Sequence, residues 1–353
     1  MADKYTLRQG VTQSMLRDFK DCRERYRLKI NKWQKKGPKS KYLIFGSRFH
    51  ELMESLYKDV ASGKGWNPYG LNIRELLQRY DNECTSQEDE LELSKIEATW
   101  KGYTDWYQSI DEELGFCAVE QTFTIPSKTL NTKKLKTIDR WIPSRKGKID
   151  ALVYKKGFWL FESKTRSQLT DETMHLEASL DFQRPFYLTA VNQLVRSELK
   201  GVMANYIRNP GLRPRKYDKP SDFFKRIIED IQSRPEHYFK RQEVIYSKQE
   251  IGQFSKELNV ELVELVKWHK DGITYRNTNS CYGKGKCEFI DFCSTRTSVG
   301  YSQDRILHEE LKEGGFDVSA NQNVEWEKIK STEEGYSKNK SNITSGRETE
   351  GDN

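Results

Sequence analysis

This 353-residue sequence contains no apolar run long enough to span a bilayer, no apolar core in its opening MADKYTLRQG, no internal repeat and no G-x4-G-K-[ST] phosphate loop. A transmembrane helix needs about 18 or more consecutive apolar residues, so a cytoplasmic protein with no membrane partner is expected. Without a phosphate loop, any nucleotide-driven motor would have to come from a partner protein. Cysteine is scarce as well: there are six, and no two stand at a C-x2-4-C spacing. That removes the usual knuckle of a structural zinc site, and in a cytosolic chain it favours metal-binding or reactive thiols over a disulfide framework.

What is present suffices for a folded body with a basic surface. Hydrophobic residues make up 35% of the chain and aromatics 12%, charged residues reach 32%, and mean hydropathy is −0.88, a balance that suits one large domain or two. The net charge of +7 is unevenly spread. Residues 298–353 hold 7 Lys and Arg against 12 Asp and Glu, leaving 53 basic against 41 acidic residues in 1–297, a balance of +12. A basic body attracts a polyanion such as DNA over distance, although surplus lysine is also common on ordinary soluble proteins.

The densest chemistry lies in KGKIDALVYKKGFWLFESKT, residues 146–165. Apolar and β-branched residues fill two arms, and Lys155-Lys156-Gly157 supplies a turn, so a β-hairpin is expected. Pairing Tyr154 with Phe158 sets Asp150 opposite Glu162, and Lys164, two residues on, shares their face. Two carboxylates and an ammonium then converge. Hard oxygen ligands at this spacing suit Mg²⁺ or Mn²⁺, and Lys164 beside them could orient a water or offset charge on a phosphate. The plainer alternative is a solvated hairpin face with a weak cross-strand ion pair.

Periodicity supplies the surrounding elements. A helix capped by Ser14 is expected to run through MLRDFKDCRERYRLKI with Met15, Phe19, Cys22, Tyr26 and Ile30 on its buried stripe and Arg17, Arg23 and Arg27 on a solvated side. A second helix, 46–61, carries His50 beside an apolar stripe. Polar helical stretches at 71–83 and 92–114 read as an inserted helical lobe, about 65–114. Strands follow at FCAVEQTFTIP, GVMANYIR and EVIYS, with helices at 179–198, 221–233 and 248–270. The alternation predicts an α/β fold, a central mixed sheet flanked by helices. Glu120, on the strand before the hairpin, stands where a second metal would be reached. Beyond Ser298 one short helix, 304–313, precedes a segment, 321–353, whose Ser, Asn, Glu, Lys and Gly content predicts disorder.

These motifs, in this order, resemble the PD-(D/E)XK nucleases, and within them the RecB-like exonucleases that carry an iron-sulfur cluster, as in the CRISPR-associated and AddB-type domains. The matches are GKID ending at Asp150, ESK from Glu162 to Lys164, His50 in FGSRFHELMESLY, Gln183 and Tyr187 in DFQRPFYLTAV as a QxxxY motif, and Cys22 with Cys281, Cys287 and Cys293. One departure is plain: NSCYGKGKCEFIDFC spaces its cysteines evenly, where related nucleases have a closer first pair; Gly283 and Gly285 would let the widened gap bend.

The resemblance implies a restriction-endonuclease-like core over 1–297 with a metal-cluster staple, followed by an acidic tail over 298–353. It implies metal-dependent hydrolysis of DNA by an exonuclease, with Asp150, Glu162, the Ser163 carbonyl and His50 at the Mg²⁺ or Mn²⁺, and Lys164 serving the attacking water. Gln183 and Tyr187, one helical turn apart, would contact DNA. The four cysteines would hold a 4Fe-4S cluster, with zinc as the rival, while Cys84 and Cys117 stay outside it. The alternative is a catalytically silent DNA-binding or scaffold subunit of a recombination or helicase-nuclease complex.

Overall fold

Side chains that alternate across a strand allow one sheet to carry two apolar layers, and this chain builds both. The computed structural model describes residue 7 and residues 9–37, 40–130, 141–195, 198–283 and 286–303. In chain order the strands are β1 (Trp33–Lys35), β2 (Gly115–Ile125), β3 (Lys128–Thr129), β4 (Trp141–Ile142), β5 (Arg145–Tyr154), β6 (Phe158–Arg166), β7 (Gly201–Arg208), β8 (Phe239–Val244) and β9 (Tyr301–Gln303). The helices are α1 (Gln13–Asp21), α2 (Arg23–Ile30), α3 (Lys41–Ala61), α4 (Leu71–Asn82), α5 (Gln87–Glu112), α6 (Asp171–Leu180), α7 (Gln183–Val195), α8 (Pro220–Ser233), α9 (Pro235–Tyr238), α10 (Lys248–Asp271) and α11 (Ile290–Thr295).

The central sheet has the order β2-β5-β6-β7-β8. β6 and β7 run parallel, joined by a crossover through α6 and α7, and the other neighbours are antiparallel. Leu152, Leu160, Val202, Ala204 and Tyr206 face one layer, where α1, α7 and α10 pack. Ala151, Val153, Trp159, Phe161, Met203 and Ile207 face the other, under α3, α5 and α8. A third, small cluster joins Leu28, Phe289 and Tyr301. This is the mixed sheet flanked by helices that the alternation predicted.

The hairpin turns as its sequence implies, with Lys156 at φ 52° and Gly157 at φ 132°, and Tyr154 pairs with Phe158. Several boundaries differ from expectation. The first helix is two: Thr12, not Ser14, caps α1, and Cys22 is extended at φ −161°, ψ 117° between α1 and α2. The bend turns Leu16, Phe19, Tyr26 and Leu28 inward in place of the single predicted stripe. Arg23 lies over the Phe19 ring and Arg27 pairs with Glu24, so that side of the helices is only partly solvated.

The helix expected over 179–198 also breaks. α6 ends at Leu180, and Asp181 accepts the amides of Gln183 and Arg184, starting α7 afresh. Pro185 then sits in the first turn, where a missing amide costs nothing. The predicted lobe is an integral layer: α5 buries Trp100, Tyr103 and Tyr107 against the sheet and α8. β8 begins at Phe239, ahead of the predicted EVIYS, because its polar residues are used inside the protein. The fold runs at least to β9, which pairs with β1 beyond the boundary at 297. The helix expected at 304–313 and the segment 321–353 lie outside the described residues, as does Gly285.

Candidate active site

Where β5 and β6 part, the sheet opens a cleft between α3 and α7. Their ladder is paired from Tyr154–Phe158 to Ala151–Phe161 and goes no further. Asp150 and Glu162 come next along the two strands. The Asp150 carboxylate is tethered there: Oδ2 accepts the Ser163 amide at 2.8 Å. Asp150 thus reaches one residue past the partner expected from simple register, and the carboxylate still meets the Glu162–Lys164 segment.

Glu162 is buried, yet its two oxygens have different fates. Oε2 accepts from Arg184 Nε at 3.1 Å. Oε1 lies 2.8 Å from Lys164 Nζ without hydrogen-bond geometry and has no other partner among the described residues. Lys164 donates instead to Gln183 Oε1 at 2.6 Å. Gln183 therefore sits on the ammonium, through the same helix start that Asp181 fixes. Tyr187, one turn later, shares a cavity with Asp150, Glu162 and Arg184 and stacks edge-on against Phe123 at 5.5 Å. Burial first, and the Glu162 and Asp150 charges second, push its hydroxyl up to about 12.

From the opposite layer, α3 brings His50 to 3.9 Å from Asp150 Oδ2, near but beyond hydrogen-bond range. Gly46 allows the approach: a Cβ there would come within 2.9 Å of Thr165 Oγ1 at the end of β6. His50, Glu120, Asp150, Ser163 and Tyr57 line a common pocket. Glu120 is held at φ 52° within β2 and ion-pairs with Lys148. A left-handed backbone at a non-glycine residue costs on the order of 1–3 kcal/mol, and such strain collects at functional sites.

The electrostatics favour a cation. Burial in the cleft pushes the Asp150 carboxyl up to about 6, opposed by His50 and reinforced by Glu162, although 28% of the side chain stays accessible through the cleft mouth. A buried Asp150 carboxylate whose hold on positive charge is strengthened by Glu162, with Glu162 Oε1 lacking a hydrogen-bond partner among the described residues, fits a hard divalent ion. Asp150, Glu162, His50 and the Ser163 carbonyl are the groups that would hold it. The side chains are not closed into a cage: among the described residues no three His, Cys, Asp or Glu already converge as a metal-binding set.

Two supporting networks escaped the sequence reading. Arg184, 1% exposed, binds Glu162, the Tyr206 hydroxyl at 2.6 Å and Asp181. Burial works against its charge, and Glu162 and Tyr206 outweigh that and raise its pKa. On the other face, Asn205 donates to Ser163 Oγ at 3.0 Å and to the Tyr103 hydroxyl at 2.8 Å. Tyr57 and Arg241 both hold the fully buried Asp111. The one available signal was an arginine inside the apolar turn QRPFY; the second network draws on α3, α5, β6, β7 and β8 and has no local signature.

The cysteines gather at the far side of α1. The bend at Cys22 lets its Sγ accept the Asn277 amide at 3.4 Å, and Cys281 Sγ faces the Asn277 carbonyl at 3.8 Å. Burial, Glu24, Cys287 and Cys22 push Cys293 up to about 11, and Cys287 is raised by burial with Cys281 contributing. The four cysteines thus lie in one region, although among the described residues no three of them converge as a metal-binding set. Cys84 and Cys117 lie elsewhere, each bonded to a nearby carbonyl.

A search of curated proteins found no match. The crystal structure of a candidate exonuclease from Eubacterium rectale is a distant likeness, at 12% identity and a TM-score of 0.48 over 88% of this chain and 95% of that one. The family model of the PD-(D/E)XK nuclease superfamily matches residues 11–294, a stretch that takes in His50, the hairpin, α7 and all four gathered cysteines. This chain belongs to the PD-(D/E)XK nuclease superfamily.

Proposed function

We propose that this protein is a Mg²⁺- or Mn²⁺-dependent exonuclease that hydrolyses DNA phosphodiester bonds at ends or along single strands. The observation that carries the reading is the meeting of Asp150, Glu162 and Lys164 where β5 and β6 part, with Glu162 Oε1 free of any hydrogen bond. When bound, the divalent ion would polarise a phosphate oxygen and lower the pKa of a water. Asp150 and Glu162 hold it, with His50 and the Ser163 carbonyl completing the set. Lys164 orients the attacking water and offsets charge on the phosphate. Gln183 keeps Lys164 in place, and Tyr187 bounds the cavity in which the scissile group would lie.

We read Cys22, Cys281, Cys287 and Cys293 as ligands of a 4Fe-4S cluster that ties the amino-terminal helices to the segment 277–293. Their gathering from distant parts of the chain supports this. Zinc on the same thiolates is the rival.

The test is incubation of anaerobically purified protein with end-labelled single- and double-stranded DNA, with and without Mn²⁺. Stepwise shortening that needs the metal is expected. DNA that is bound but left intact would replace the enzyme with a silent binding subunit.

A further inference from the structure

The connection from β7 to α8, residues 209–219, reads NPGLRPRKYDK. It leaves the sheet beside the proposed catalytic strand: the Asn209 amide donates to the Arg166 carbonyl at 2.7 Å, two residues past Lys164. Arg213, Arg215, Lys216 and Lys219 are all exposed, and Tyr217 is 82% exposed with Lys216 Nζ 5.2 Å from its ring centre. Asp218 supplies the loop's acidic group, and it is spent inside the loop. It accepts the Arg215 amide at 2.8 Å and pairs with Arg226 of α8. Leu212 packs into the core beneath, so the loop is pinned while its cations stay in water. None of the four makes an ion pair among the described residues.

The loop has a facing wall. Gln87, at the start of α5, donates to the Asp218 carbonyl at 3.4 Å, and the adjacent Glu88 pairs with Lys41 at the start of α3. Tyr42, 67% exposed, and Leu43 lie beside Lys41 in the first turn of α3, about two helical turns ahead of His50. Gln87 and the Glu88–Lys41 pair thus link the loop to the start of the helix that carries His50.

We propose that residues 209–219 seat a single-stranded stretch of DNA beside the end of the strand that carries Glu162 and Lys164, Tyr217 stacking on a base and Arg213, Arg215 and Lys216 tracking its phosphates. This rests on the nuclease reading and narrows its substrate. A duplex keeps its bases stacked on one another and leaves no base face for an aromatic ring to stack on, whereas an unpaired base offers a free face.

Binding of labelled oligothymidylate and of a duplex of equal length, measured by fluorescence anisotropy in EDTA across a salt series, tests it. Tyr217→Ala should weaken oligothymidylate binding roughly ten-fold and leave duplex binding nearly unchanged, and Tyr217→Trp should restore it. The triple variant Arg213→Ser, Arg215→Ser, Lys216→Ser should reduce the slope of log affinity against log salt by about two. Wild-type binding by both variants, or equal losses for single strand and duplex, overturns the proposal. Wild-type protein that binds oligothymidylate through Tyr217 but cuts nothing with Mn²⁺ would remove the nuclease reading and leave this seat standing.

Discussion

Arg184 and Lys164 divide the two oxygens of Glu162: Arg184 Nε binds Oε2 at 3.1 Å, while Oε1 lies 2.8 Å from Lys164 Nζ and, among the described residues, makes no hydrogen bond. A buried carboxylate without that partner is costly, so Arg184→Met should lower stability by about 3–5 kcal/mol in thermal or urea unfolding. Arg184→Lys keeps the charge but loses the fork that also reaches Tyr206. It should fold, bind Mn²⁺ more weakly by calorimetry, and cut at least ten-fold more slowly. Unchanged Mn²⁺ affinity in the lysine variant would show that Arg184 only packs.

Lys164 and Gln183 form a pair with a mechanistic reading, their side chains meeting at 2.6 Å. Lys164→Ala should remove most hydrolysis, by a factor on the order of a hundred or more, while DNA affinity stays close to wild type, since one cation among many contributes little to the attraction. Gln183→Ala should slow cleavage about ten-fold. In the double variant the second change should add almost nothing, because Gln183 acts through Lys164. Fully multiplicative losses would separate the two roles, and wild-type cutting by Lys164→Ala would end the mechanism.

The burial that lifts Asp150 to about 6 has a measurable consequence in metal-free protein. The folded state holds this proton more tightly than the unfolded chain. Its contribution is therefore fully present below about pH 4 and is lost as pH rises through about 6. Asp150→Asn should flatten that part of the stability curve, gaining on the order of 1–2 kcal/mol over the metal-free parent at pH 7 while abolishing cleavage. Parallel pH–stability curves for the two proteins in EDTA would show that Asp150 is not strained by its surroundings.

Removal of the proposed cysteine-bound centre should unfold more than one loop. Cys22 lies on the bend between α1 and α2, and Cys281 to Cys293 follow α10, so a shared metal closes nearly the whole domain into one ring. Protein purified without oxygen should be brown, with broad visible absorption. Alanine at Cys22, Cys281, Cys287 or Cys293 should bleach it and lower the unfolding temperature, whereas Cys84 and Cys117, bonded only to local carbonyls, should be replaceable. Colourless protein with one zinc per chain would favour the rival metal.

The sequence by itself determined what depends on neighbours a few residues apart. Alternation and a glycine turn determined the hairpin and its Tyr154–Phe158 register, and i, i+4 spacing placed Gln183 and Tyr187 on one side of a helix. The helical periodicity over 179–198 masked the break at Asp181, although the amides Asp181 accepts lie only two and three residues on and Pro185 suits a helix start. Local pattern could not show that Gln183 would rest on Lys164, that Arg184 would carry Glu162, or that Asn205, Tyr103, Arg241 and Asp111 would form one buried network. Apart from the apolar turn around Arg184, nothing local to Arg184, Asn205, Arg241 or Asp111 marks them as buried. Only the packing of α7 and α5 on opposite faces of the sheet removed them from water and left them one another as partners.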